Sequence, residues 1–147
     1  MTKYSYLNQG GPGVNLLGDD KQNFRLVNES MKTSNFSASL IKTIWSIVAS
    51  IIQMGNLQFE SGEKDLNNNT NAQAKLSNQS TNDVKLIAKL LKIDENELKN
   101  ALTSRLIASG SKEVLTKTHT VKEALYARDA LAKVKKILST NIKVIFK

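Results

Sequence analysis

The stretch Ala38–Met54, ASLIKTIWSIVASIIQM, decides the fold class. Leu40, Ile41, Ile44, Trp45, Ile47, Val48, Ile51 and Ile52 leave little polar face, and a helix that is apolar nearly all round belongs inside protein. Lys42, Thr43 and Ser46 interrupt the run, which also falls short of the ~20 apolar residues that a bilayer span requires. A buried helix is therefore expected, forming the core. Ser37 stands where a hydroxyl caps the first free N–H groups, and Gly55 stands where a left-handed residue ends a helix.

Upstream, Asp19 and Asp20 offer caps and favourable negative charge for a helix through Phe24, Leu26, Val27 and Met31. The opening Tyr4-Ser5-Tyr6-Leu7-Asn8-Gln9-Gly10-Gly11-Pro12-Gly13 ends in turn formers and is expected to be irregular. Its glycines are not followed by the Lys and hydroxyl of a G-x-x-x-x-G-K-[ST] phosphate cradle, so they read as a plain turn. Downstream, Leu57-Gln58-Phe59-Glu60 alternates like a short strand. From 61 to 79 the composition turns to Asn, Gln, Gly and Lys, which predicts a flexible, Asn-rich surface insertion over 61–80.

Helical periodicity returns at Val84, Ile87, Ala88, Leu90 and Leu91. Asp94 and Glu97 then have capping-box spacing ahead of Leu98, Ala101 and Leu102. Two extended stretches, 105–108 and 113–119, flank the turn Ser109-Gly110-Ser111-Lys112 and read as a projecting β-hairpin. Thr120 and Glu123 repeat the capping-box spacing and open a last helix through Ala124, Leu125, Ala130 and Leu131. The fold class is mostly α with one short hairpin.

Composition narrows the chemistry. With no cysteine, neither disulfides nor thiolate metal sites are available, which fits a reducing, intracellular compartment. The N-terminus has no apolar h-region of a secretory signal. A formal charge of +8 suits a polyanion, but the basic residues are mostly dispersed lysines, with arginine only at positions 25, 105 and 128, so nucleic acid is not the expected partner. His119, the sole histidine, reads as an exposed hairpin residue, too isolated for a metal cluster or a Ser/His/Asp site. Asp94, Glu95 and Glu97 crowd together as a helix start rather than as an acid/base pair. No catalytic constellation emerges.

Four segments, in order, resemble the myosin head: Tyr6-Leu7-Asn8-Gln9-Gly10-Gly11; the end of the apolar helix with Ile51-Ile52-Gln53-Met54-Gly55-Asn56-Leu57-Gln58-Phe59; 98–105, LKNALTSR; and Ala127-Arg128-Asp129-Ala130-Leu131-Ala132-Lys133. The second is similar to the I-L-x-L-G-N-I-x-F pattern of myosins and the last to their ARDALAK stretch. The likeness runs from Tyr4 to Lys133, and its LNQGG form resembles unconventional, class-I-like myosins. It implies that 1–133 is a partial motor domain from the upper 50-kDa region, followed by a divergent tail at 134–147.

The resemblance further implies an actin-based motor, cytoplasmic and cytoskeletal, with the hairpin at 105–120 as the actin-reaching cardiomyopathy loop. Arg105, Ser111, Lys112, Glu113 and Lys117 are then the filament-contacting residues. A regulatory position of the family lies sixteen residues before the Asp of DALAK, which is Glu113 here; a carboxylate supplies permanently the charge that phosphorylation adds elsewhere. ATP and Mg²⁺ serve the complete motor. The sequence lacks the G-E-S-G-A-G-K-T phosphate loop, the N-x-N-S-S-R switch and the D-I-x-G-F-E switch, so this chain alone is expected to bind neither and to be inactive. Its partners are actin filaments and, within a longer product, the remainder of the head. The competing reading is an actin-binding or helical protein-interaction module that works without nucleotide.

Overall fold

The computed structural model describes residues 3–9, 18–62, 73–108 and 114–140, with only the backbone described at 108 and at 135–140. Helices dominate: α1 (Asp20–Thr33), α2 (Ala38–Met54), α3 (Ser80–Leu91), α4 (Glu95–Thr103) and α5 (Val121–Thr140). Two antiparallel ribbons interrupt them, β1 (Phe59–Ser61) with β2 (Ala74–Leu76), and β3 (Ser104–Ala108) with β4 (Val114–Thr118). A 3-10 turn at Ser5–Leu7 adds a small regular piece to the opening segment expected to be irregular.

Helix starts follow local chemistry. The Asp19 carboxylate accepts the Lys21 N–H at 2.9 Å, and the Ser37 hydroxyl accepts the Leu40 N–H at 3.2 Å. Asp94 accepts from both Asn96 and Glu97, at 2.8 and 3.0 Å. At Thr120 the capping box closes in both directions: its N–H donates to Glu123 at 2.8 Å, and the Glu123 N–H donates to its hydroxyl at 3.3 Å. Each such cap is worth about 1 kcal/mol.

The core gathers at the last turn of α2. Met54 and Leu57 pack there with Val84, Ile87 and Ala88 of α3, Leu98 and Leu102 of α4, and Ala132 of α5. The apolar helix α2 is thus core only at its C-terminal end; of its remaining aliphatic and aromatic side chains only Ile41 is buried, while Ile44, Trp45, Ile47 and Val48 are half-covered. Helix α1 contributes no buried residue at all, and leans on α2 through Phe24 against Trp45, ring centres 4.6 Å apart, and through the indole N–H donated to Asn28.

Three expectations need correction. Gly55 is right-handed, with φ −58°, so it does not serve as a left-handed cap; it is glycine because a Cβ there would lie 2.6 Å from the Tyr6 ring. The stretch expected to be a flexible insertion contains an ordered strand, since Ala74–Leu76 pairs with β1 and buries Ala74, and Ser77 beyond it is buried too; residues 63–72 lie outside the described set. His119 is buried rather than exposed.

Candidate partner-facing hairpin and its anchorage

In the β3–β4 ribbon Arg105 stands opposite Lys117, Leu106 opposite Thr116 and Ile107 opposite Leu115. Because successive side chains point to opposite faces, one face carries Arg105, Lys117, Ile107 and Leu115, and the other Leu106, Thr116 and Val114. Apolar residues on both faces are open to water: Leu106 is 73% exposed, Val114 65% and Leu115 55%. A free-standing ribbon with apolar side chains on both sides has no folding reason to carry them, and contiguous exposed apolar surface is what marks contact with a partner.

Two cations directly opposite each other repel. Glu123, at the start of α5, relieves them: its carboxylate lies 3.8 Å from Arg105. The Glu123 carboxyl is held below its ordinary range first by the Thr120 amide and hydroxyl it accepts from, then by the charges of Arg105 and Lys117. The group is solvent-exposed, so the ion pair itself contributes little.

The ribbon's root is firm where its body is free. His119 donates its backbone N–H to Thr103 at 2.7 Å, its ring Nδ1 lies 3.1 Å from the Leu102 carbonyl, and its own carbonyl accepts the Ala74 N–H at 2.7 Å. One residue thereby ties β4, the end of α4 and strand β2 together. The Nδ1 contact requires a proton on that nitrogen, because a carbonyl can only accept.

A second constellation lies at the middle of α5. The Tyr6 hydroxyl donates to Asp129 at 2.5 Å; Arg128 donates through Nε to Asp129 at 2.8 Å and through a terminal nitrogen to the Leu57 carbonyl at 3.0 Å. The guanidinium also sits 5.5 Å from the centre of the Tyr6 ring. Nearby, the Ser5 N–H donates to the Asn56 side chain at 3.0 Å. Burial and then the Asp129 hydrogen bond push the Tyr6 hydroxyl up to about 12. Burial alone would raise the Asp129 carboxyl, but the hydrogen bonds from Arg128 and Tyr6 and the charges of Arg128 and Lys133 outweigh it, so it ends below its usual range.

Of the residues singled out in the sequence, Arg105 and Lys117 are brought face to face, whereas Ser111, Lys112 and Glu113 lie outside the described residues. Asp94 is occupied as a helix cap, and Glu95 pairs with Lys99 at 2.6 Å along α4. Among the described residues no cluster of His, Cys, Asp or Glu could hold a metal ion, and no helix is long and apolar enough to cross a membrane.

The family model of the myosin head (motor domain) matches residues 1–144. The chain belongs to the myosin head family. It is 37% identical over 131 residues to "Unconventional myosin ID" of Drosophila melanogaster, 89% of this chain and 12% of that protein. To "Unconventional myosin-Ic" of Rattus norvegicus it is 32% identical over 130 residues, 88% of this chain and again 12% of the relative. To human "Unconventional myosin-XV" it is 35% identical over 131 residues, 89% of this chain and 4% of that protein. This is a class-I-like myosin-head sequence that spans a small part of its relatives' length.

Within this myosin-head chain the family-like segments turn out to be the places where elements touch. Tyr6, Gly55-Asn56-Leu57 and Arg128-Asp129 come from three of the four segments and meet in one cluster, while Leu98 and Leu102 of the fourth fill the core beneath it. The Tyr6 to Asp129 contact joins residues 123 apart, and no local pattern announces it. The available signal was that each partner already stood inside a family-like motif.

Proposed function

We propose that this myosin-head segment belongs to an actin-based, ATP-driven motor and supplies it with a surface hairpin that meets the filament. The observation that carries the reading is the contrast within the hairpin: Leu106, Val114 and Leu115 are open to water while His119 at the root is buried and tied to two other elements. Such a ribbon presents apolar side chains and the cations Arg105 and Lys117 to a partner without disturbing the core, and suits an acidic surface with apolar patches. Ser111, Lys112 and Glu113, which follow β3 in sequence and lie outside the described residues, are proposed to add to the contact, with Glu113 providing fixed negative charge that needs no kinase.

ATP and Mg²⁺ contacts fall to parts of the motor that these 147 residues do not include, since phosphate-loop and switch motifs are missing from them. The chain alone therefore hydrolyses no ATP, and its place of action is the cytoplasmic cytoskeleton. Co-sedimentation of the purified chain with filamentous actin tests the contact. Leu106→Asp and Glu113→Lys should each lower the bound fraction without changing the melting temperature. Equal sedimentation of both variants and the parent, or none by any of them, overturns the reading. A nucleotide-independent module is the competing reading, favoured by the missing phosphate loop; ATP-insensitive actin binding by the longest product containing this chain would support it instead.

A further inference from the structure

The two faces of the β3–β4 ribbon differ in charge. One holds both cations, Arg105 and Lys117; the other, with Leu106, Thr116 and Val114, holds no charged side chain. Leu106 and Thr116 of that neutral face line a hollow of about 470 Å³ together with Glu97, Asn100 and Ala101 of α4, within the size range of pockets that accept bulky groups. Arg105 borders it as well, but its guanidinium lies 3.8 Å from the Glu123 carboxylate.

The chemistry of the hollow is unfinished. Leu106 is the most exposed large apolar side chain among the described residues, at 73%, and Ala101 in the same hollow is open to water too. Glu97 gives its backbone N–H to the Asp94 cap at 3.0 Å, yet its carboxylate has no ion pair or hydrogen bond among the described residues. Lys99, the one cation of α4, is taken by Glu95 at 2.6 Å. A carboxylate without a counter-ion thus stands beside hydrocarbon that only water covers.

We propose that the hollow is a docking site for a second protein, one whose segment presents a lysine or arginine next to an aliphatic or aromatic side chain. The cation meets Glu97, and the apolar group lies on Leu106 and Ala101. Charge chooses this occupant. An acidic surface of the kind that suits Arg105 and Lys117 is held off by Glu97, so the hollow is not an extension of the filament contact. A nucleic acid or an anionic lipid surface is disfavoured in the same way, and a second copy of the chain carries the same +8 formal charge. Because the ion pair forms in water it adds little affinity; covering Leu106 supplies most of the binding, and Glu97 selects the sign of the partner. What occupancy does rests on the reading of the hairpin as the part that meets the filament. The partner covers Leu106, removes it from the filament contact, and so weakens the motor's grip.

The probes are two capped peptides, acetyl-Lys-Leu-Lys-Leu-amide and acetyl-Glu-Leu-Glu-Leu-amide, titrated into the methyl-labelled 147-residue chain and followed by NMR. At +8 the chain as a whole attracts the acidic peptide, so a preference for the basic one reports a local site. The basic peptide should move the methyl signals of Ala101, Leu106 and Thr116 and bind about threefold tighter than the acidic one. Glu97→Gln should abolish that preference with the rest of the spectrum unchanged, and Leu106→Ser, at an exposed position, should weaken both peptides by about tenfold or more. Equal or tighter binding of the acidic peptide overturns the proposal, as does a preference that survives Glu97→Gln, or a titration that leaves these three methyl signals still. Actin co-sedimentation without peptide judges the motor reading separately. Sedimentation with no peptide preference sinks the docking site alone; peptide preference with no sedimentation sinks the motor reading and leaves the docking site standing.

Discussion

The two ribbons differ in how their apolar side chains are covered. The β1–β2 ribbon is built from Phe59-Glu60-Ser61 and Ala74-Lys75-Leu76; it buries Ala74 and rests Phe59 and Leu76 on the core, while Glu60, Ser61 and Lys75 stay exposed. The β3–β4 ribbon holds Leu106, Ile107, Val114 and Leu115, yet all four are exposed. Hydrophobicity therefore does not decide which ribbon is inside. Attachment does: the first is stitched on both flanks, by the Gln58 N–H to the Ser80 hydroxyl at 2.8 Å and by the Ala74 N–H to the His119 carbonyl, whereas the hydrogen bonds that hold the second among the described residues gather at its root, at His119 and Ser104. Apolar residues kept on a free ribbon serve something other than folding.

The sharpest way to break this contrast is to put the same charge on each ribbon. Ala74→Asp buries an unpaired carboxylate and should cost about 3 kcal/mol or more, enough to unfold a marginally stable chain. Leu106→Asp should stay within about 0.5 kcal/mol by chemical denaturation while weakening partner binding. Comparable losses at both positions would show that the second ribbon is packed after all.

A middle-sized effect is expected where the first ribbon is approached from α2. Gly55→Ala places a methyl 2.6 Å from Tyr6 Cγ, and displacing that ring strains the contact with Asp129 at a cost of about 1–3 kcal/mol. If the clash acts through the ring, Tyr6→Ala in the same chain should absorb most of it, which thermal melts of the double variant would reveal.

The smallest effect belongs to the free ribbon. Lys117→Glu removes the repulsion with Arg105 and should raise stability by about 0.2–1 kcal/mol, while lowering actin co-sedimentation. The same change should alter acid behaviour. The Glu123 carboxyl is depressed in the folded chain, so its contribution is present above the ordinary glutamate range and is lost as pH falls through the lowered value. Without the Lys117 cation that loss should begin at higher pH, as melting temperatures measured down the acid limb would show.

How much was legible follows the distance over which each feature is specified. Caps at Asp19, Ser37, Asp94 and Thr120 were readable because a short side chain reaches an N–H two or three residues on. The hairpin at 105–118 was readable because its two strands lie only a few residues apart in sequence. Strand β2 was hidden by its polar surroundings, since its partner lies across residues 63–72 and pairing rather than composition makes it a strand. His119 was misjudged because its neighbours in sequence are exposed while its partners, Leu102 and Ala74, come from elsewhere. Gly55 was rightly marked as special but for the wrong reason, as the requirement comes from Tyr6 and not from its own φ.

By itself the sequence determined the helices, the starts of all but α3, the exposed hairpin and the family, because helix periodicity, capping and motif order are written within a few residues or in their succession. Only the tertiary structure decided which apolar surfaces are satisfied. It joined Tyr6 to Asp129, rested Phe59, Ala74 and Leu76 of the first ribbon on the core, and left Trp45 half-covered, since burial depends on which distant segments arrive, and a local pattern carries no information about arrival.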